Sequence, residues 1–251
     1  LRASGALQGS RVAVVSNPVV EPLYGAQLET ALNAAGYRST VCLIPDGEEH
    51  KILDTVAWLY DQFLDGGLDR SSGVISLGGG VTGDIAGFAA ATFMRGVPFV
   101  QVPTTLLSMV DASVGGKVGV DLPQGKNLAG AFKQPALVIV DPGVLATLPA
   151  EEVRSGMSEV IKHGIIGAPG LFVELELPHP GAQLPRSVSQ LERALEVKIQ
   201  IVEADPFEQG RRAVLNLGHT VAHALERLSD FNLRHGEAVA IGMVAAARIS
   251  A

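Results

Sequence analysis

Gly73-Val74-Ile75-Ser76-Leu77-Gly78-Gly79-Gly80-Val81-Thr82-Gly83-Asp84 is the stretch that decides the fold. Gly73 to Leu77 is a short apolar run and predicts a buried strand, which runs straight into three glycines and then a helix from about Val81 to Met94. In such a turn the backbone N–H groups can face a phosphate with no side chain in the way. The stretch is not G-x-G-x-x-G, and it is not a P-loop, because no Lys-Ser/Thr follows. A tight strand-to-helix turn with no ligand reads the same way, so the phosphate reading needs support from elsewhere in the chain.

Outward from this turn, strands and helices alternate. Strands are expected at Arg11–Ser16, Ser39–Ile44, Val97–Val102 and Ala136–Val140. Helices are expected from Glu21 to Ala35, closed by Gly36, and from about His50 to Leu64. This order implies a parallel sheet with right-handed crossovers. Beyond Leu148 the strand signal fades, and Glu151–Ile166, Ser187–Ala204, Ala213–Leu228 and Glu237–Ile249 read as helices. The expected fold is α/β: a Rossmann-like parallel-sheet domain over residues 1–148 and an all-helical domain over 149–251. The Pro-rich run Leu177–Pro185 reads as a surface connection.

Composition narrows the function. The chain has 251 residues, 47% hydrophobic and only 5% aromatic, which suits an Ala/Val/Leu/Gly-rich α/β enzyme. A net charge of −7 argues against nonspecific nucleic-acid binding, which needs a basic face. Cations nevertheless recur near the candidate sites at Arg95, Lys117, Lys126, Lys162, Lys198 and Arg212, as a small anionic substrate requires. Cys42 is the single cysteine, so no internal disulfide forms. That fits a cytoplasmic protein, and Cys42 itself reads as a small buried hydrophobe in a strand. No apolar run reaches membrane-spanning length. Leu1 opens the chain and an apolar helix with no stop signal closes it, so both ends read as truncated.

The chemistry-bearing residues cluster in five places. The turn Asp46-Gly47-Glu48-Glu49-His50-Lys51 and the run Pro103-Thr104-Thr105 follow predicted strands, where ligands of open parallel sheets bind. Glu48 there is suited to ribose hydroxyls. Between Val110 and Leu128, glycines and lysines interleave in what reads as a long loop, with Lys117, Lys126 and Asn127 as phosphate donors. Asn216-Leu217-Gly218-His219-Thr220-Val221-Ala222-His223 puts two histidines one helical turn apart, and His235 follows a short loop later. Glu159 lies in an apolar helical run, where an unpaired carboxylate is costly. Three N/O ligands from separate segments are what a catalytic zinc needs. On spacing alone His219 and His223 form the natural pair, while His163, one turn after Glu159, reads as a packed histidine outside the ligand shell.

The ordered series Gly79-Gly80-Val81-Thr82-Gly83-Asp84, Val102–Leu107, Asp111–Lys117, Gly125-Lys126-Asn127, Ser158–Lys162, Leu215–Thr220 and Arg234–Ala238 resembles 3-dehydroquinate synthase. The resemblance covers nearly the whole chain, from just after the family's first strand into its helical domain. It implies a shikimate-pathway lyase that converts 3-deoxy-D-arabino-heptulosonate 7-phosphate to 3-dehydroquinate and phosphate. NAD oxidises a hydroxyl, phosphate is eliminated, NADH returns the hydride, and an intramolecular aldol reaction closes the ring.

By position the resemblance assigns zinc (or cobalt in its place) to Glu159, His219 and His235. His223 then leaves the metal shell and becomes a proton-transfer or hydroxyl-binding residue. Lys117 and Asn127 would hold phosphate, and Lys162, Lys198, Arg212 and Asn216 the substrate's carboxylate and hydroxyls. Arg95 matches a residue that reaches the neighbouring subunit's phosphate, which implies a homodimer. NAD would meet Asp46, Glu48 and Lys51 at its adenosine ribose and Gly79, Gly80, Val81, Thr82, Gly83 and Asp84 at its pyrophosphate. Thr104, Thr105, Asp111, Lys117, Lys126 and Thr147 complete the implied cofactor contacts. Lys198 favours the dehydroquinate reaction, because relatives that form 2-deoxy-scyllo-inosose carry an acidic residue there. A related sugar-phosphate cyclase making 2-deoxy-scyllo-inosose or a valiolone-type product, a glycerol-dehydrogenase-type alcohol dehydrogenase and a non-catalytic NAD-binding or dimerisation module are the competing readings.

Overall fold

A computed structural model describes residues 1, 3–176, 187–229 and 232–251, and the Pro-rich run Leu177–Pro185 lies outside them. The chain divides into two compact units. The first comprises Leu1–Thr104 and Ala112–Asp141, the second Thr105–Asp111 and Pro142–Ala251. Residues 105–111 and 142–148 thus cluster with the helical part of the chain.

The first unit is built on five strands, β1 (Arg11–Ser16), β2 (Arg38–Leu43), β3 (Gly73–Gly78), β4 (Phe99–Pro103) and β7 (Leu137–Val138). All neighbours pair in parallel, in the order β2-β1-β3-β4-β7. Helices α1 (Glu21–Ala34), α2 (Leu53–Asp65) and α3 (Gly80–Thr92) connect them. Both faces of the sheet are covered. Ala13, Val15, Val74 and Phe99 enter one core with Phe63, Ile85 and Ala89, and Val12, Val14, Ile75 and Val100 enter another with Leu32 and Tyr37. Neighbouring residues of one strand enter opposite cores because side chains alternate along a strand, and a sheet buried on both faces needs an apolar residue at every step.

The Gly/Lys-rich stretch after Val110 differs from its sequence reading. Lys117–Leu122 (β5) and Gly125–Phe132 (β6) form an antiparallel hairpin, not a long loop. Gly119 sits opposite Gly130, and a Cβ on either one would lie under 3 Å from backbone oxygen of the other strand. The glycines that weaken the strand signal are the residues that let the two chains approach. The strand read at Ala136–Val140 shortens to Leu137–Val138.

Cys42 is buried in the edge strand β2, and burial pushes its thiol up to about 11. At pH 8 the folded protein therefore resists a thiol-alkylating reagent, while the denatured chain labels fully. Native labelling as fast as in denaturant would show that β2 opens in solution.

The second unit holds α4 (Ala150–Gly167), α5 (Pro169–Glu176), α6 (Val188–Ala204), α7 (His219–Leu228) and α8 (His235–Ser250). Ser187 caps α6 by accepting from the Gln190 N–H. The helix expected over Ala213–Leu228 is interrupted: a 3-10 turn spans Arg211–Asn216, and α7 starts only at His219. The break is at Gly218, whose φ of +83° places it in the left-handed region and whose carbonyl lies against Gly242 of α8. Ala222, Ala238, Val239 and Met243 form the small apolar core where α7 packs on α8.

Candidate functional site

In the first unit the chain moves outward from β1 to β2 on one side and from β3 to β4 on the other. The sheet order therefore reverses between β1 and β3, and ligands of open α/β sheets bind at the carboxyl ends of strands at such a reversal. The glycine turn is there: β3 ends at Gly78, Gly79 precedes α3, and no side chain caps that helix. Val81, Thr82, Gly83 and Asp84 form its first turns, with Thr82 and Gly83 buried. After β4, Thr104 donates its N–H to Gly78 O, and its buried hydroxyl has no partner among the described residues. Ser113 likewise carries a buried hydroxyl without a partner among those residues.

Asn17, which the sequence reading missed, follows β1 and donates from Nδ2 to Asp46 Oδ1 at 2.8 Å. Lys51 is nearly buried. It reaches Asp84 at 2.7 Å, Asn127 Oδ1 at 2.5 Å and Glu48 at 3.8 Å. Burial alone would lower its pKa, but Asp84 and Glu48 outweigh burial and hold the ammonium above its ordinary value. Asp121, also missed, accepts from the Asn127 N–H and donates its own N–H to Lys51 O, both at 2.7 Å. Lys126 lies 3.4 Å from Glu48. The acidic turn and the hairpin tip are thereby tied into one polar network. Lys117 is exposed at the start of β5, and Arg95 is exposed in a turn with φ of +71°.

In the second unit Glu159, His219 and His235 come from three helices, and one donor atom from each lies within 4.8 Å of the others. Glu159 is fully buried on α4. Its Oε1 has no hydrogen-bond partner among the described residues, while Oε2 meets the ammonium of Lys162 one turn on. Burial raises the Glu159 pKa, with Asp111 adding to the rise and Lys162 opposing it. Burial, with Lys162 and His235 nearby, pushes His219 down to about 4, so its imidazole is neutral at physiological pH. A buried carboxylate with an orphaned oxygen beside a neutral imidazole is what a divalent cation compensates, so these residues fit a metal.

The residues around this group are polar and mostly buried. Lys198 donates to both Oδ1 and the backbone carbonyl of Asp111, each at 2.5 Å. Burial alone would raise Asp111, but Lys198 and Lys162 hold it well below the usual carboxylate range. His163 is fully buried beside Asp111 and Glu159, and burial lowers its pKa to about 3. Arg212 is buried and donates to Pro206 O at 2.7 Å. Asn216 donates to Glu208 at 3.1 Å. His223 lies further along α7, its ring 5.6 Å from that of His219, whereas the His219 and His235 rings are 5.3 Å apart. Two sets of His and carboxylate donors are close enough to share an ion among the described residues, Glu159 with His219 and His235, and Asp111 with Glu159 and His163, and neither includes His223. Thr105 bonds Ser108, and the exposed Thr147 donates to Val144 O at 3.1 Å. With Asp111, these two residues belong to the second unit, and the other expected cofactor contacts belong to the first.

Comparison with known proteins covers both units. Residues 41–155 match the family model for the 3-dehydroquinate synthase N-terminal region, and residues 156–251 match that for its C-terminal region. A 3-dehydroquinate synthase of Pelobacter propionicus is 54% identical over 96% of this chain and 68% of its own length. One from Synechocystis is 51% identical over 96% of this chain and 69% of its own length. Among solved structures, the 2-epi-5-epi-valiolone synthase ValA of Streptomyces hygroscopicus, with NAD+ and Zn2+ bound, superposes with a TM-score of 0.86 at 32% identity. That match covers 97% of this chain and 69% of ValA. Glycerol dehydrogenase of Schizosaccharomyces pombe, with a TM-score of 0.70 and 22% identity, covers 97% of this chain and 66% of its own, and shares the fold.

Proposed function

The chain belongs to the 3-dehydroquinate synthase family, and from that premise we propose that it converts 3-deoxy-D-arabino-heptulosonate 7-phosphate to 3-dehydroquinate and phosphate. It is a lyase with NAD and a divalent metal, zinc or cobalt, as cofactors. The observation that carries this reading is the convergence of Glu159, His219 and His235 amid buried lysines.

When bound, the metal supplies a Lewis acid to the substrate hydroxyl, and NAD accepts and later returns a hydride. The chain's own residues bind and orient. Lys162 pairs with the Glu159 carboxylate and opposes the rise that burial imposes on it. Lys198 and Arg212 are buried cations suited to a substrate carboxylate, and the Asp111–Lys198 pair holds the ammonium in place until such an anion competes for it. Asn216 and His223 bind hydroxyls or move a proton. In the first unit the glycine turn and Thr104 receive the pyrophosphate and ribose of NAD. Glu48 takes ribose hydroxyls, with Lys51, Asp84 and Asn127 holding the turn and hairpin tip in register. Lys117 and Asn127 meet phosphate, and much of the rate comes from positioning.

The exposed Arg95 serves a neighbouring subunit, making the working form a homodimer. Among the described residues no helix is long and apolar enough to cross a membrane. The single buried thiol suits the cytoplasm.

The test is inorganic phosphate release with NAD and zinc from 3-deoxy-D-arabino-heptulosonate 7-phosphate, sedoheptulose 7-phosphate and glucose 6-phosphate. Release from the first alone is expected, abolished by a chelator and with no net NADH. Release from either of the others would reassign the chain to a related cyclase. Steady NADH formation from glycerol would make it a dehydrogenase.

A further inference from the structure

We infer that Glu226 is the positioning residue for the metal ligand His235, an inference that rests on the metal reading above. Glu226 is on α7, seven residues and two helical turns beyond His219, so both project from one side of the helix. Its side chain is 8% exposed, and its Oε1 lies 3.2 Å from His235 Nδ1. A carboxylate is costly to bury unless it meets a hydrogen-bond donor. One group within hydrogen-bond reach of it is Nδ1 of the imidazole that opens α8.

A neutral imidazole has one N–H and one lone pair. If Nδ1 carries the proton and gives it to Glu226, only Nε2 retains a lone pair for a cation. Glu226 therefore selects the tautomer of His235, fixes the ring's rotation about its bond to Cβ, and makes Nε2 more electron-rich through the negative charge behind it. His219 has a weaker version of the same arrangement, its Nδ1 lying 3.4 Å from Leu217 O. One helix thus supplies both a metal ligand, His219, and the carboxylate that orients the ligand on the next helix. The Glu226–His235 contact ties the first turn of α8 to α7.

The experiment is zinc competition titration with a chromophoric chelator on the parent, His235→Ala, Glu226→Ala and Glu226→Gln, with NAD binding measured alongside. The inference predicts a roughly 10- to 100-fold weaker zinc affinity for Glu226→Ala, with NAD affinity unchanged. Glu226→Gln, which keeps an acceptor but not the charge, should lose less and shift the visible spectrum of the cobalt-loaded protein. Nitrogen-15 NMR of the zinc-loaded parent should find the His235 proton on Nδ1. This last measurement stands even if Glu226→Ala fails to fold. If the parent binds no zinc, or His235→Ala binds it as well as the parent does, the metal reading falls and takes this inference with it. If His235→Ala loses zinc while both Glu226 variants match the parent, or if the proton is on Nε2, the inference alone is overturned.

Discussion

Glu159→Gln should leave the chain without stoichiometric zinc and without phosphate release, and the metal-free protein should also lose stability. The two losses have separate causes. The first follows from removing the only carboxylate among the three grouped ligands, since a neutral amide is a poor ligand where two imidazoles already supply no charge. The second follows from Lys162, which is 1% exposed and whose ammonium meets Glu159 Oε2. Breaking a buried pair by removing one partner costs about 3–5 kcal/mol, because the remaining charge stays out of water without compensation. Replacing both partners, as Glu159→Leu with Lys162→Met, should recover most of the stability, since an apolar pair of similar volume is often neutral or better than a buried ion pair. It should recover none of the zinc. Denaturant midpoints on metal-stripped protein and zinc content after dialysis separate the two effects. Zinc retained at one equivalent by Glu159→Gln would remove Glu159 from the ligand set.

Gly236→Ala is the second large effect, and it acts through backbone instead of chemistry. A Cβ at Gly236 would lie 1.9 Å from Ser155 O and 2.4 Å from Ser158 Oγ. The first is main chain of α4 and cannot rotate away. The Gly236 N–H also donates to Ser155 Oγ at 3.2 Å, so the two helices touch where His235 starts α8. A methyl there forces α8 off α4, carrying His235 away from Glu159. Overpacking of this kind costs about 1–3 kcal/mol when the surroundings can adjust, and helix backbone adjusts poorly. We expect a lower unfolding temperature together with weakened zinc binding. Gly170→Ala is the control: nothing lies within 4 Å of its Cβ, so neither property should fall. A Gly236→Ala protein as stable as the parent, with its zinc affinity intact, would mean that α4 and α8 do not meet as closely as described.

Glu159's fellow ligands and the α4 atoms that crowd Gly236 are far away in the chain, and that explains what could be read from sequence. Strand β3, the glycine turn and α3 were legible because each depends on local pattern: an apolar run, flexible backbone, then helical residues. The alternation of strands and helices carried the parallel sheet with it, since crossovers of that hand are the geometry such units adopt. The hairpin of β5 and β6 was not legible. Its strands are rich in glycine and lysine, and their pairing depends on Gly119 meeting Gly130 across the turn. Nor did local pattern reveal the break before α7, which follows from the contact of Gly218 with α8.

The candidate site divides in the same way. Sequence by itself supplied the residue types, the glycine turn, the cations in an acidic chain, and the family's ordered motifs. It also offered a false economy in His219 and His223, whose four-residue spacing suggests a pair on any helix. The family's motifs already named Glu159, His219 and His235 together, and the tertiary structure brings one donor atom of each within 4.8 Å of the others. Only the tertiary structure decided that Asn17 and Asp121 hold the turn and hairpin of the first unit, and that Glu226 stands behind His235. The reason is physical. A helix determines which of its own residues share a face, but which face of another helix it meets depends on packing between segments distant in the chain, and metal ligands and their supporting carboxylates are chosen at those contacts.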